Sequence, residues 1–208
     1  FDTPPRVINS LHGRGIKIIC YFSAGSYEDW RSDAADFPSV VLGKQLDGWP
    51  DEKWLDIRRL DALMPIMERR LDLVKTKGCD AVEPDNIDGY ANDNGFKLLA
   101  SDQLRYNLAL SGAAHARGLA IGLKNDLDQI ADLADEYDFA INEQCFEYGE
   151  CDKLMPFISQ NKAVFGVEYN LQPAEFCAAA RTRNFSWLKM NEALTGECGA
   201  AIIGKDQR

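Results

Sequence analysis

At 208 residues the chain has room for one sizeable core, and 46% apolar against 27% charged residues is the composition of a folded globular protein. Asp and Glu number 33 against 23 Lys and Arg, a formal charge of −10, which opposes contact with nucleic-acid phosphates and favours neutral or cationic ligands. Apolar runs such as Ile18–Phe22 fall far short of the roughly 20 residues a membrane helix needs, and no leader sequence is visible.

In chain order, short apolar strands alternate with amphipathic helices. The first strand is predicted at Lys17–Phe22, and a weaker one at Lys53–Ile57. A helix follows from Asp61 to Lys77, with Leu63, Met67, Leu71 and Val74 at helical spacing, Asp61 as its cap and Gly78 as its stop. Then come a strand at Asp80–Asp85, a helix from Ser101 to Arg117 capped by Ser101, and a strand at Ala120–Lys124. A helix from Asp126 to Tyr137, with Asp126 read as its cap, leads to a strand at Phe139–Cys145. The last predicted elements are a strand at Ala163–Tyr169, a helix at Pro173–Arg183 and a strand at Ala200–Gly204. No linker composition interrupts this series, so residues 1–208 read as a single domain. Strand–helix–strand repetition implies a parallel sheet, either an open doubly wound sheet or a (β/α)8 barrel.

The six cysteines contain no Cys-x-x-Cys and only two histidines accompany them, which argues against a structural zinc. Cys145 and Cys151 flank a short polar loop and are read as a disulfide, with Cys177 and Cys198 as the next pair and Cys20 as a core thiol. These cysteines and the sequon Asn184-Phe185-Ser186 lean towards an oxidising, extracellular setting.

No Gly-rich nucleotide loop follows a strand, and no Gly-x-Ser-x-Gly elbow occurs. Polar residues instead crowd the C-terminal ends of the strands, the end that carries the active site in α/β barrels. The first strand leads into Tyr21, Ser23, Tyr27, Glu28, Trp30 and Arg31; the next ends in Glu83, Asp85, Asn86 and Asp88. Lys124 and Asn125, then Glu143 and Gln144, then Glu168 and Tyr169 close the following three. Strand alternation puts Ala81, Glu83 and Asp85 on one face, and Ile141, Glu143 and Cys145 on one face. Asp85 and Glu143 are therefore expected to project from strand ends. Paired carboxylates without a histidine partner are the equipment of a glycosidase, one protonating the leaving oxygen and one attacking the anomeric carbon or activating water. Trp30, next to Arg31 on a loop, is read as a sugar-stacking platform and Trp49 as core. Arg58, Arg59, Arg69 and Arg70 are read as solvated helix-face charges, and Glu147 and Glu150 as loop surface.

The stretches CYFSAGSYEDWR, GCDAVEPDNIDGY, GLKND, INEQCFEY and VEYN, in this order from about Asp2 to Tyr169, resemble glycoside hydrolase family 114, the endo-α-1,4-polygalactosaminidases. The resemblance implies a (β/α)8 barrel, apparently lacking its N-terminal strands in this chain, and a secreted enzyme that cleaves α-1,4-linked galactosamine in cationic polysaccharide. By motif, Asp85 is the nucleophile and Glu143 the acid/base of a retaining mechanism. Asp88, Lys124, Asn125, Glu168 and Tyr169 line the sugar sites, with Tyr21, Trp30, Asn86, Tyr90 and Gln144 as further substrate contacts. No cofactor or metal is expected, and the protein is expected to be a monomer without nucleic-acid or membrane partners. Two other readings are a non-catalytic polysaccharide-binding barrel and a divalent-metal hydrolase using Asp85, Asp88 and Asp93.

Overall fold

The computed structural model describes residues 3–191. In chain order the elements are α1 (Pro5–His12), β1 (Ile19–Ser23), β2 (Ser26–Glu28), β3 (Leu42–Leu46), β4 (Trp49–Leu55), α2 (Leu60–Lys77), β5 (Ala81–Asp85), α3 (Ala100–His115), β6 (Ala120–Lys124), α4 (Ile130–Leu133), β7 (Phe139–Glu143), α5 (Cys145–Tyr148), α6 (Met155–Ser159), β8 (Ala163–Glu168), α7 (Pro173–Thr182) and β9 (Ser186–Lys189). They fall into two compact units, Phe1–Tyr137 and Asp138–Arg208. Asp2, Cys198 and the predicted strand Ala200–Gly204 lie outside the described residues. Among the described residues no helix is long and apolar enough to cross a membrane.

In the first unit β1, β5 and β6 pair in parallel, with Ile19 opposite Ala81 and Ser23 opposite Asp85. The connecting helices cover this sheet by their apolar stripes. Leu63, Met67, Leu71 and Val74 of α2 are all buried, as their spacing requires. Gly78 ends that helix in the left-handed region, φ 88°, which a residue without Cβ adopts freely. The helix starts differs from expectation. Arg59, not Asp61, is the residue before the first turn of α2, and Asp61 sits inside the turn, paired to Arg59 at 2.9 Å. In α3 the chain enters at Leu99, whose N–H donates to Asp102 at 3.0 Å, so Ser101 lies within the helix rather than capping it.

Between β1 and α2 the chain builds a separate antiparallel sheet in the order β2-β4-β3. The weak strand expected at Lys53–Ile57 belongs here and not to the parallel sheet. Trp54, Leu55 and Ile57 are buried beneath it. Trp49 is not core: it follows the Asp47–Gly48 turn and is 57% exposed, because a hairpin tip has no layer above it to pack against.

Arg70 also departs from its expected place on a solvated helix face. It is 2% exposed. Its guanidinium forks onto Asp33 at 2.7 and 2.9 Å, donates to the Ser23 carbonyl at 2.7 Å and lies over Phe37. Burial raises the Asp33 carboxyl, but Arg70 outweighs it and holds Asp33 below its ordinary value. Cys20 is likewise not a free core thiol. Cys79, just before β5, approaches it to a Cα–Cα distance of 6.0 Å, and the two form a disulfide across neighbouring strands.

The second unit holds the parallel strands β7, β8 and β9. Cys145 and Cys151 are bonded, as their spacing suggested. Strand β9 is absent from the sequence reading because Ser-Trp-Leu-Lys is short and lacks clear alternation. Trp187 anchors it, fully buried, against Gly166, where a Cβ would come within 2.3 Å of the indole. The sequon residue Asn184 is exposed in the turn between α7 and β9.

Candidate active site

In the first unit the C-terminal ends of three parallel strands converge on Asp85. Its backbone carbonyl accepts from the N–H groups of Ala24 and Gly25 at 2.9 and 3.0 Å. That approach is possible only because residue 25 is glycine: a Cβ there would stand 1.6 Å from the Asn86 carbonyl oxygen. The side chain is held equally closely. Tyr21 donates to Oδ2 at 3.1 Å, and Lys124 Nζ and the Asn86 N–H donate to Oδ1 at 2.9 and 2.8 Å. Lys124 is buried and also faces Glu83 at 3.7 Å. A buried cation of this kind needs anionic partners, and the strand end supplies two. Burial first, and the Asp85 charge second, push the Tyr21 phenol well above its ordinary range, so it stays a donor.

Asn86 stands in the left-handed region, φ 60°, and turns its amide back onto Ser23 and Ser26 at 2.9 and 3.2 Å. Ser26 in turn donates to Glu52 at 2.6 Å. Glu28 and Glu52 are both buried here. Burial, only partly offset by Ser26, raises Glu52, and the Glu28 and Asp85 charges add to it. Glu52 is not among the residues that the sequence singles out, and Arg70 reads there only as a solvated charge. The signal that could have marked Glu52 is its place in the alternating segment Trp49–Leu55, where it falls on the face of Trp54.

After β6, Asn125 and Asp126 are both left-handed, φ 52° and 46°. Consecutive strained residues at a strand end are characteristic of functional loops. Asp126 stands at the N-cap position of the short turn Leu127–Gln129, but its side chain makes no cap bond. It is buried, and Oδ2 accepts from Asn107 at 2.9 Å while Oδ1 has no partner. Burial, with the Asp88 charge next, drives its carboxyl up to about 8. The Tyr90 phenol beside it is raised to about 12 by burial and by Asp126. Asn107 belongs to a buried polar row on α3: Gln103 donates to it at 2.9 Å, and it donates to the Ile87 carbonyl at 3.0 Å. This row ties the loop that carries Asp88 and Tyr90 to the helix behind it. Asp93, by contrast, is drawn outward to Lys44 at 2.7 Å. Among the described residues no three His, Cys, Asp or Glu side chains are grouped as metal ligands.

In the second unit, Glu143 ends β7 and accepts from the Tyr169 hydroxyl at 2.5 Å. Lys189 donates to the Tyr169 carbonyl, which fixes the end of β8. Gln144 follows Glu143 in the left-handed region, φ 66°, and its N–H is bonded to the Val167 carbonyl at 2.8 Å. Its side chain donates to Glu147 at 2.8 Å, and Asn170 donates to the same carboxylate at 2.9 Å, so Glu147 is a bonded residue of α5 and not bare loop surface. Glu168 faces the interior with Val164 and Gly166, as strand alternation dictates, and is completely buried. Its Oε1 accepts from the Phe146 N–H at 3.0 Å and from Trp187 at 3.2 Å; burial raises this carboxyl. Trp30 is 53% exposed in its own loop of the first unit.

Each of these ends thus presents an oriented carboxylate whose oxygens are held by phenol or ammonium donors. Carboxylates held in this way are able to exchange protons or to attack an electrophilic carbon. The chain is similar to the crystal structure of Aspergillus fumigatus Ega3 in complex with galactosamine, at 42% identity over 92% of this chain and 81% of that one, with a TM-score of 0.86. The glycoside hydrolase domain of PelA from Pseudomonas aeruginosa has the same fold at 13% identity, with 93% and 85% covered and a TM-score of 0.67. These likenesses assign the parallel strands and helices to the (β/α)8 class of α/β folds. No curated protein sequence matches the chain. The model of glycoside-hydrolase family GH114 matches residues 1–203, and the chain belongs to that family of glycosidases.

Proposed function

We propose that this protein is a secreted endo-glycosidase that cleaves α-1,4-linked galactosamine within a cationic polysaccharide, with retention at the anomeric carbon. The observation that carries the reading is the 42% identity to a protein solved with galactosamine. The charge of −10 supports it, since carboxylates attract a polymer of ammonium sugars and salt weakens the attraction. The two disulfides among the described residues accord with an oxidising destination.

Asp85 is the proposed nucleophile. Its position is fixed by Tyr21, Asn86 and Lys124, and the ammonium beside it balances the carboxylate until it attacks C1. Glu143 is the proposed acid/base: it protonates the departing glycosidic oxygen, then takes a proton from the water that releases the glycosyl-enzyme. Tyr169 orients Glu143. Asp88, Tyr90, Asn125 and Gln144 are proposed sugar contacts. Asn86, Lys124 and Glu168 are proposed to act on substrate mainly through the residues they hold.

Reducing-end release from deacetylated galactosaminogalactan tests the reading with the parent protein, Asp85→Asn and Glu143→Gln. Oligosaccharides from the parent and a loss of about 100-fold or more in each variant are expected. Full turnover in either variant removes that residue from the mechanism. A parent that binds the polymer without cutting it is a binding domain. In a ligand-bound crystal structure the two carboxyls are expected roughly 5–5.5 Å apart, whereas roughly 6.5–9.5 Å would mean inversion.

A further inference from the structure

We infer that Glu52 is a positioning residue for the Asp85 carboxylate, acting through a hydrogen-bonded row that runs from Glu52 over Ser26 and Ser23 to Asn86. This rests on the reading of Asp85 as nucleophile given above. In the ladder between β2 and β4, Ser26 stands opposite Trp54 and Glu28 opposite Glu52, so strand alternation turns all four to one face. All four are buried. Glu28 is matched by the Arg31 guanidinium at 2.8 Å. Among the described residues Glu52 makes no ion pair, and Ser26 is its hydrogen-bond partner at 2.6 Å. A buried carboxyl so placed destabilises a sheet face that an apolar side chain would fill better, unless it holds something else in place.

The row has one direction. Ser26 gives its hydroxyl proton to Glu52, so the 2.5 Å contact between the two serine oxygens takes its proton from Ser23. Both serine oxygens are then left as acceptors for the two amide hydrogens of Asn86, at 2.9 and 3.2 Å. The anchored amide keeps Asn86 in the left-handed region, φ 60°, where its N–H reaches Asp85 Oδ1 at 2.8 Å. The same serines bracket the turn whose Ala24 and Gly25 N–H groups hold the Asp85 carbonyl, and the Ser26 N–H closes that turn on Ser23 Oγ at 3.1 Å. Glu52 thus bears on Asp85 by two routes, one to its side chain and one to its backbone. Without Glu52 the Ser26 proton is free to turn on Ser23, in competition with the Asn86 amide. A displacement of about 1 Å in a reacting group costs on the order of 100-fold in rate.

The test measures kcat and KM on a defined α-1,4-galactosamine oligomer for the parent, Glu52→Ala, Glu52→Gln, Ser26→Ala, Ser26→Ala/Glu52→Ala and Asp85→Asn. In Glu52→Ala and in Ser26→Ala, kcat is expected to fall about 10- to 100-fold, with KM within about twofold of the parent's. Glutamine keeps a carbonyl acceptor for Ser26, so Glu52→Gln is expected to recover most of the loss. The double variant is expected to fall no further than Glu52→Ala, because both substitutions cut one row. Ser26→Ala removes a single hydroxyl, and its thermal unfolding is expected to stay above the assay temperature, which separates a kcat loss from unfolding. Parent-like kcat in Glu52→Ala and Ser26→Ala, beside a silent Asp85→Asn, overturns the positioning role and leaves the nucleophile intact. Glu52→Gln as impaired as Glu52→Ala, losses that multiply in the double variant, or a rise in KM at unchanged kcat also overturns it. A parent that leaves the oligomer uncut, or an Asp85→Asn variant that cuts at the parent's rate, sinks the nucleophile reading and the positioning role with it.

Discussion

Replacing Asp126 by asparagine should stabilise the protein at neutral pH and do little in acid. The folded state holds the Asp126 proton up to about pH 8, whereas an ordinary aspartate releases it near 3.8. Between those values the folded chain binds more protons than the unfolded one, so the stability that this residue controls falls as pH rises, and the loss is complete above about pH 8. Each pH unit inside the window is worth roughly 1 kcal/mol or slightly more, so the cost is on the order of 1–2 kcal/mol at pH 5 and roughly 4 kcal/mol at pH 7. Asparagine has nearly the same shape and keeps an acceptor for Asn107, which now donates to Oδ2 at 2.9 Å. Its amide hydrogens also suit the Tyr90 phenol. Urea unfolding of parent and Asp126→Asn at pH 5, 6 and 7 measures this directly. The difference between them should grow by about 2–3 kcal/mol across the series. A difference that stays flat with pH, or that favours the parent at pH 7, would refute the account of Asp126 as a proton-holding buried acid.

Tyr169→Phe removes the hydroxyl that orients Glu143. A hydrogen bond to a charged group contributes about 1.5–3 kcal/mol, so polymer turnover should drop about 10- to 100-fold with little change in thermal unfolding. Wild-type turnover in that variant would detach Tyr169 from the chemistry. In Gly25→Ala a Cβ would lie 1.6 Å from one backbone atom of Asn86 and 2.6 Å from another, neither of which can swing away. Destabilisation of about 3 kcal/mol or more is expected, read as soluble yield and melting temperature. The two disulfides close loops of very different length, with sequence separations of 59 and 6. Loop entropy predicts that Cys20→Ser/Cys79→Ser costs about 4 kcal/mol and Cys145→Ser/Cys151→Ser about 2, and chemical denaturation that reverses this order would contradict the model.

The parallel α/β architecture was legible in the sequence because its signals are local. Apolar runs such as Ala120–Lys124 and the α2 stripe Leu63, Met67, Leu71 and Val74 report their own burial through period and spacing. Polar residues after those runs marked the strand ends, and alternation along β5 put Glu83 and Asp85 on one face. What the chain could not announce is pairing between distant segments. Arg70 reads as a surface charge until the tertiary fold brings Asp33 and the Ser23 carbonyl to it. Cys20 reads as a core thiol until Cys79 arrives beside it. Asp126 has the position of a helix cap in sequence, yet the fold encloses it against Asn107 and Tyr90, and enclosure, not residue type, sets its proton affinity. Trp49 errs in the opposite direction: its apolar character suggested core, and only the hairpin geometry leaves it in water. Local periodicity determines which segments are strands and helices. Short-range pairing such as Cys145–Cys151 is legible as well, whereas the burial of Arg70 and the Cys20–Cys79 bond depend on neighbours dozens of residues away, and so belong to the tertiary structure alone.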